Sequence, residues 1–213
     1  MKVFGVYGAS GCGRGIMPLV SAELADGGAA VFIDDGDLPS TINGHPCLSW
    51  TDFMELEASE RLVCLAIAEG AIREKLDKKC TDAGIGYFSP RSHQAVIMDD
   101  VDIGDGAIIS PFVTLTSNIR IGRHFHGNLY SYVEHDCIIG DYVTFAPGVK
   151  CNGNIVIEDH AYIGTGAILR QGKPGEPLVV GEGAVVGMGA VVTKSVPAGA
   201  TVVGNPARPL EEH

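Results

Sequence analysis

One residue in every six is apolar, in constant phase, through the middle of the chain from Ile97 to Leu169. The residues four positions further on, from Val101 to Ala167, form a second and smaller inward set. Only Gly127 interrupts the first series. An α-helix does not repeat at six residues, and a hairpin sheet does not hold one phase for this long without inserted turns. The pattern therefore predicts a solenoid of hexapeptide repeats. The first series comprises Ile97, Ile103, Ile109, Leu115, Ile121, Gly127, Val133, Ile139, Phe145, Cys151, Ile157, Ile163 and Leu169.

A longer period of eighteen residues lies within the hexapeptide pattern. Similar triplets begin at Ile103, Ile121, Ile139 and Ile157. Three hexapeptides therefore make one coil, which is a triangle of three short parallel strands. Successive coils stack at the spacing of hydrogen-bonded strands, ~4.8 Å, so residues eighteen apart lie one above the other.

The repeat is interrupted once and then ends. It resumes at Val180, five residues late, and the delay coincides with Lys173–Pro177. Two prolines and a glycine cannot hold a strand ladder, so this segment is predicted to be a loop that leaves one coil. Beyond Val192 the phase is lost, and the tail is predicted to fold back or cap the last coil.

The residues before the solenoid follow a different rhythm, in which short apolar strands alternate with helical spacing. This alternation predicts a small parallel sheet with right-handed crossovers. We therefore expect an α/β domain over residues 1–92 and a β-helix domain with a C-terminal cap over residues 93–213. The predicted strands are Val3–Tyr7, Ala29–Ile33, Arg61–Ile67 and a fourth that begins at Tyr87, and the predicted helices are Ile16–Leu24, Thr51–Glu57 and Glu69–Ala83.

A glycine-rich segment, Gly8–Gly15, lies where the first strand hands over to the first helix. Backbone N–H groups without side chains in the way, next to a helix N-terminus, suit the oxygens of a phosphate. Asp34 and Asp35, after the next strand, are placed to accept hydrogen bonds from a ribose or a base. The spacing is not that of dinucleotide enzymes and three strands are too few for their domain, so we expect a nucleotide-linked ligand. A turn that serves only close packing is the alternative. The expected ligand-binding residues here are Ser10, Gly11, Cys12, Gly13, Arg14, Asp34 and Asp35.

Composition narrows the class of protein. The 213 residues are 46% hydrophobic, which is ample for a core, and the net charge of -11 argues against nucleic acid or an anionic membrane as a partner. The six cysteines include no C-x-x-C pair, so reduced and mostly buried thiols are expected. The apolar run at the start of the chain is too short for a signal peptide, and no apolar run is long enough to span a membrane. A cytoplasmic protein is expected.

The solenoid, the ending Gly204–Arg208 and the α/β domain in front together resemble the left-handed β-helix acyltransferases. More narrowly, nearly the whole chain is similar to bacterial N-acetyltransferases of nucleotide-linked 4-amino-4,6-dideoxysugars, such as those of the bacillosamine and perosamine pathways. The resemblance implies the left hand of the coil, which periodicity cannot give. It also implies acetyl transfer from acetyl-CoA to the sugar 4-amine, for surface polysaccharide or glycan synthesis.

The segment from Asn128 to Asp136 carries the active-site pattern of this family, an asparagine followed seven and eight positions later by a histidine and an acid. The resemblance implies that His135 is the general base, that Asp136 is its carboxylate partner, and that Asn128 positions the acceptor. An ordinary imidazole has a pKa of ~6.5 and can take a proton from an amine near neutral pH. Gly153 lies eighteen residues after His135, and the resemblance implies that its amide stabilises the oxyanion. A tight corner is the alternative role for Gly153.

Coenzyme A is implied to run along the solenoid between two subunits of a homotrimer. The implied contacts along it are Thr144, Gly153, Thr165, Met188 and Gly189, with Lys194 and Arg208 near the phosphates. A zinc site like that of the hexapeptide carbonic anhydrases needs two histidines five apart, and no pair has that spacing, so no metal is expected. A sugar O-acetyltransferase and a non-catalytic nucleotide-sugar-binding protein are the alternative functions.

Overall fold

The computed structural model describes residues 1–24, 28–37 and 39–210. The chain divides into two compact units. The first consists of Met1–Ala68 and Ile72–Pro90, and the second of Glu69–Ala71 and the chain from Arg91 onward.

The first unit contains a six-stranded sheet with helices in its crossovers. The strands β2, β1 and β5 form its parallel centre, as expected from the alternating pattern. A strand pair, β3 and β4, extends the sheet beyond β2, so the expected number of strands was too low. The elements are β1 (Lys2–Tyr7), α1 (Gly11–Glu23), β2 (Ala29–Ile33), β3 (Thr41–Ile42), β4 (His45–Leu48), α2 (Trp50–Glu55), β5 (Glu60–Leu65), α3 (Gly70–Asp82) and β6 (Gly86–Tyr87).

Helix α1 begins earlier than predicted, inside the glycine-rich segment. Gly11 is its first residue and Ser10 is the N-cap. Gly13 is required by packing, because a Cβ at this position would collide with the carbonyl oxygen of Gly8. Close packing, the alternative considered for the segment, therefore holds at Gly13. By contrast, a Cβ at Gly11 or Gly15 would meet no atom within 4 Å.

The second unit is the predicted solenoid, in which every side of a triangular coil is a short strand. Its three sheets are parallel except at β24, and their strand orders are β22-β19-β16-β13-β10-β7, β20-β17-β14-β11-β8 and β24-β23-β21-β18-β15-β12-β9. From β7 to β19, partners are eighteen residues apart, as in the pairing of Val133 with Cys151. The strands are β7 (Val96–Ile97), β8 (Val101–Ile103), β9 (Ile108–Ile109), β10 (Thr114–Leu115), β11 (Ile119–Ile121), β12 (His126–Gly127), β13 (Tyr132–Val133), β14 (Cys137–Ile139), β15 (Thr144–Phe145), β16 (Lys150–Cys151), β17 (Ile155–Ile157), β18 (Tyr162–Ile163), β19 (Ile168–Leu169), β20 (Leu178–Val180), β21 (Val185–Val186), β22 (Val191–Val192), β23 (Thr201–Val203) and β24 (Arg208–Pro209).

The core of the solenoid is the inward set that the sequence pattern predicts. Cys137 and Cys151 are fully buried within it as free thiols. Gly127, the break in the series, lies against the ring of Phe125, so a neighbouring aromatic side chain fills the space that an isoleucine would take. Burial of each large apolar side chain contributes ~1.5–3 kcal/mol, which explains why one phase is kept over so many coils.

The interruption and the tail also follow the prediction. Strand β17 pairs with β20 at an offset of 23 residues, from Ile157 to Val180, so Lys173–Pro177 leaves the coil as an exposed loop. The loop closes on itself through the pair of Lys173 and Glu176. The tail adds one more parallel strand, β23, and then folds back as the antiparallel strand β24.

Candidate active site

His135 lies on one edge of the triangular solenoid, which we call the His135 edge. It consists of the corner residues 116–118, 134–136 and 152–154 of three successive coils, between the strands β10, β13 and β16 and the strands β11, β14 and β17. Backbone hydrogen bonds join the coils at this corner, and two of them involve His135 and its neighbour. Asp136 N–H donates to the Ser117 carbonyl at 3.1 Å, and Asn154 N–H donates to the His135 carbonyl at 3.0 Å.

The side chains of His135 and Asp136 form a hydrogen-bonded pair at this edge. His135 Nδ1 lies 2.7 Å from Asp136 Oδ2, and the two side chains are 41% and 49% exposed. An ionised carboxylate only accepts hydrogen bonds, so the imidazole donates from Nδ1. The neutral ring then has its unprotonated nitrogen at Nε2, which is the form required of a general base.

The carboxyl group of Asp136 is held in its ionised form. The hydrogen bond to His135 lowers its pKa most, and a second bond from Asn118 Nδ2 to Asp136 Oδ1, at 3.1 Å, lowers it further. Each oxygen of the carboxylate thus has its own donor. The pair can accept a proton at Nε2 while the carboxylate stabilises the resulting imidazolium.

Gly153 lies directly over the imidazole, one coil further along the edge. A Cβ built on Gly153 would be 2.5 Å from Cε1 and 2.6 Å from Nε2 of His135, closer than real Cβ contacts. Any side chain here would displace the ring. The Gly153 N–H makes no hydrogen bond to any residue that the structure describes. The base nitrogen and an amide without a protein partner therefore lie in adjacent coils at one corner, and acyl transfer uses a base and an amide donor of this kind.

Three of the residues expected along coenzyme A lie on a second edge, which we call the Gly189 edge. It consists of the corner residues 110–113, 128–131, 146–149, 164–167 and 187–190. Asn128, Thr165, Met188 and Gly189 lie there, and Met188 is 82% exposed. Thr144, by contrast, is 5% exposed on β15. Within one chain, the structure does not bring Asn128 or the Gly189 edge to His135.

The Gly189 edge is apolar and uneven in height. Phe112 and Tyr130 stack with their ring centroids 4.8 Å apart, and both are exposed, as is Leu129. The next corner positions after Tyr130 at the same point of the coil are Gly148 and Gly166, which carry no side chains. Large apolar side chains therefore project from the first coils of this edge, and a groove lies at the glycines of the following coils. The exposed apolar surface is typical of an interaction site.

A cavity of about 280 Å³ lies on the His135 side of the solenoid, under the loop that leaves the coil. Gly172, one of the residues that line the cavity, donates from its N–H to the Gly153 carbonyl at 3.0 Å. The cavity therefore lies next to Gly153 along this edge. Lys194, expected near the phosphates of coenzyme A, lines it with two further cations, Arg170 and Lys173. Arg208 is not in this cavity and lies exposed on β24.

The first unit has its own cavity, of about 710 Å³, at the glycine-rich segment. Four of the residues predicted to bind the nucleotide line it, namely Ser10, Gly11, Arg14 and Asp34. The side chain of Ser10 does not cap α1, so its hydroxyl is available to a ligand. Asp34 is fixed by N–H groups of Ala9, at 2.9 Å, and Gly36, at 3.0 Å.

The remaining predicted residues of this segment do not line the cavity. Asp35 instead joins three groups of the first unit: it accepts from Tyr7 Oη and Trp50 N–H at 2.8 Å and from Lys79 Nζ at 3.1 Å. Desolvation acts to raise the pKa of Asp35, but these hydrogen bonds outweigh it and the pKa is lowered. Burial raises the pKa of the Cys12 thiol, which therefore stays protonated.

Two sets of residues at these sites were absent from the sequence prediction. Thr41 and Ile42 of β3, and Asn43 of the turn that follows it, line the first-unit cavity, and the signal for that turn was the dipeptide Asn43-Gly44. Asn118 was also missed, although it lies eighteen residues before Asp136 and the coil period could have identified it.

Comparison with known proteins identifies the family. No protein-family model matches the chain. It is 48% identical to GDP-perosamine N-acetyltransferase of Escherichia coli O157:H7 over 99% of this chain and 97% of that protein. The structure of WeeI from Acinetobacter baumannii AYE is 57% identical, with a TM-score of 0.96 over 99% of this chain and 100% of that chain. The acetyltransferase domain of PglB from Neisseria gonorrhoeae FA1090, in complex with acetyl coenzyme A, is 28% identical, with a TM-score of 0.88 over 98% of both chains.

These relatives confirm the left hand of the coil. Within residues 1–24, 28–37 and 39–210, no helix combines the length and the apolar character needed to cross a membrane. The fold, the pair of His135 and Asp136, and the similarity to a relative over its full length all indicate the same family. The chain therefore belongs to the hexapeptide-repeat N-acetyltransferases of nucleotide-linked amino sugars, and it is an acyltransferase.

Proposed function

We propose that the enzyme transfers the acetyl group of acetyl-CoA to the 4-amine of a GDP-linked 4-amino-4,6-dideoxyhexose of the perosamine type. The observation that carries this is the His135 pair: Nδ1 bonded to Asp136 at 2.7 Å, with Nε2 beside an unbonded Gly153 amide. The identity of the nucleotide and sugar is supported by the similarity to GDP-perosamine N-acetyltransferase.

In the proposed reaction the amine attacks the thioester carbonyl directly. His135 Nε2 takes the proton that the amine loses, and Asp136 stabilises the imidazolium. The Gly153 N–H donates to the oxygen of the tetrahedral intermediate, a contribution of ~100-fold or more in rate for such donors. Collapse of the intermediate breaks the C–S bond, and the thiolate of coenzyme A receives the proton. No covalent acyl-enzyme is needed.

The nucleotide is proposed to bind in the cavity of the first unit. Arg14 supplies a guanidinium there, and Ser10 and the first N–H groups of α1 supply further donors to the diphosphate. A local cation matters because the chain as a whole carries a charge of -11 and repels anions.

We also propose a homotrimer that works in the cytoplasm. Within one chain the His135 edge and the Gly189 edge are different corners of the triangle. A second copy whose Gly189 edge lies beside the His135 edge would complete a groove for the pantetheine arm, with Thr165, Met188 and Gly189 from one subunit and Gly153 from the other. The exposed apolar surface of the Gly189 edge supports this arrangement.

The test is release of the coenzyme A thiol from acetyl-CoA with GDP-, UDP- and dTDP-linked 4-amino-6-deoxysugars and their 4-hydroxy counterparts. The proposal expects turnover with the GDP-linked amine and none with the hydroxy sugar. Turnover with the hydroxy sugar alone would make the enzyme an O-acetyltransferase. Tight nucleotide-sugar binding without thiol release would make it a binding protein.

A further inference from the structure

The His135 pair continues into the preceding coil through Asn118. Its Nδ2 donates to Asp136 Oδ1 at 3.1 Å, while the opposite oxygen, Oδ2, faces His135 Nδ1 at 2.7 Å. The three side chains form one line of hydrogen bonds along the His135 edge. Asn118 touches neither reactant in the proposed reaction, so any effect on catalysis must act through Asp136.

The coil geometry places Asn118 under Asp136 without any long-range adjustment. Strand β11 pairs with β14 so that Ile119 is opposite Cys137, which puts Asn118 and Asp136 one above the other. Both residues have a left-handed backbone, with φ of 55° and 58°. Asparagine and aspartate adopt this conformation more readily than other side chains, and their short polar groups then point along the edge.

The hydrogen bond from Asn118 restricts what the exposed carboxylate can do. The side chain of Asp136 is 49% exposed, so solvent can reach the carboxylate. Without a donor at Oδ1 the carboxylate can rotate away from the imidazole or exchange its partners with water. With the donor in place, Oδ2 stays directed at Nδ1, and the proton of the neutral imidazole stays on Nδ1 rather than Nε2.

We propose that Asn118 is a positioning residue that fixes the base-competent tautomer of His135 through Asp136. The inference rests on the proposed function for its catalytic consequence, but the hydrogen-bond chain itself can be tested without turnover. A free imidazole favours the other tautomer, with the proton on Nε2. In that form Nε2 cannot accept a proton from the amine. Asn118 thus determines the fraction of His135 that is ready to act.

Two substitutions separate positioning from a structural role. Asn118→Gly removes the donor and keeps the left-handed backbone without strain. Asn118→Asp keeps the shape and the backbone preference, as Asp100 and Asp136 show at the same corner, but it replaces the donor with an acceptor that repels Asp136. Asp100→Gly is the matched control, because Asp100 occupies the same corner one coil below Asn118 and bonds to Arg120 instead.

The experiment measures the tautomer of His135 by ¹⁵N chemical shifts of the imidazole nitrogens, with His135→Asn used for assignment, and then kcat and KM. The wild type and Asp100→Gly are expected to hold the proton of the neutral ring on Nδ1. Both Asn118 variants are expected to shift population to the Nε2–H form and to lose about tenfold in kcat, with KM for both substrates unchanged.

An unchanged tautomer in both Asn118 variants would overturn the inference, and so would a wild-type kcat in Asn118→Asp. The same holds if the loss appears in KM rather than kcat. Failure of the proposed function looks different: the wild type would show no thiol release that depends on His135, while the tautomer measurement would still decide whether Asn118 orders the pair.

Discussion

Substitution of Gly153 by alanine tests the most crowded contact of the site. The added Cβ would be 2.5 Å from Cε1 of His135, whereas van der Waals contact begins near 3.4 Å, so the ring must move by about 0.9 Å. The hydrogen bond to Asp136 resists this movement, because it fixes Nδ1 at 2.7 Å from Oδ2. A misplacement of about 1 Å can lower a rate by about 100-fold.

We therefore expect Gly153→Ala to lower kcat for thiol release from acetyl-CoA by about 100-fold, with the melting temperature little changed. Gly15→Ala is the matched control, since a Cβ there meets no atom within 4 Å, and it should keep wild-type kcat. If Gly153→Ala retains kcat within about twofold of the wild type, the imidazole does not need the position seen here, and the reasoning about the base and the amide is refuted.

Three further predictions concern the His135 pair, the binding of the nucleotide and the assembly of the subunits. The hydrogen bonds from His135 and Asn118 lower the pKa of the Asp136 carboxyl, so its ionised form is kept on acidification and is lost only below the ordinary titration range of an aspartate. A ¹³C-carboxyl titration would show this, and an inflection above the ordinary range would contradict it. Arg14→Ala should raise KM for the nucleotide sugar about tenfold and leave KM for acetyl-CoA unchanged, because a charge-assisted bond to phosphate is lost, and equal changes in both constants would count against a nucleotide site there. Leu129→Glu and Met188→Glu should shift a trimer toward monomer in sedimentation velocity, since both side chains are exposed on the Gly189 edge, and a monomeric wild type would exclude the shared groove.

The sequence predicted the solenoid well because its constraint is repeated in every coil. A six-residue apolar period leaves few alternatives, and even the late phase at Val180 correctly indicated the loop Lys173–Pro177. The first unit lacks such repetition. The pair β3 and β4 was missed because Thr41–Ile42 is too short for a pattern and Pro46 weakens the reading of the next strand.

The site residues show the same contrast between the repetitive solenoid and the first unit. The stacking of Gly153 on His135 followed from the period alone, and the structure places them in contact. Asp35 shows the opposite case: its position after a strand favoured a ligand, but its oxygens accept from Tyr7, Trp50 and Lys79. Those partners are distant in sequence, so no local pattern could reveal that the carboxylate was already satisfied.

Thiol release from acetyl-CoA with GDP-perosamine as acceptor, compared between the wild type and His135→Asn at equal folded concentration, is the decisive experiment for the proposed reaction. We expect steady turnover by the wild type, formation of the N-acetylated sugar, and a loss of 100-fold or more in kcat for the variant. Equal turnover by the two proteins would contradict the assignment of His135 as the base. An acetyl group found on a hydroxyl of the sugar instead of its amine would contradict the assignment of the amine as the acceptor.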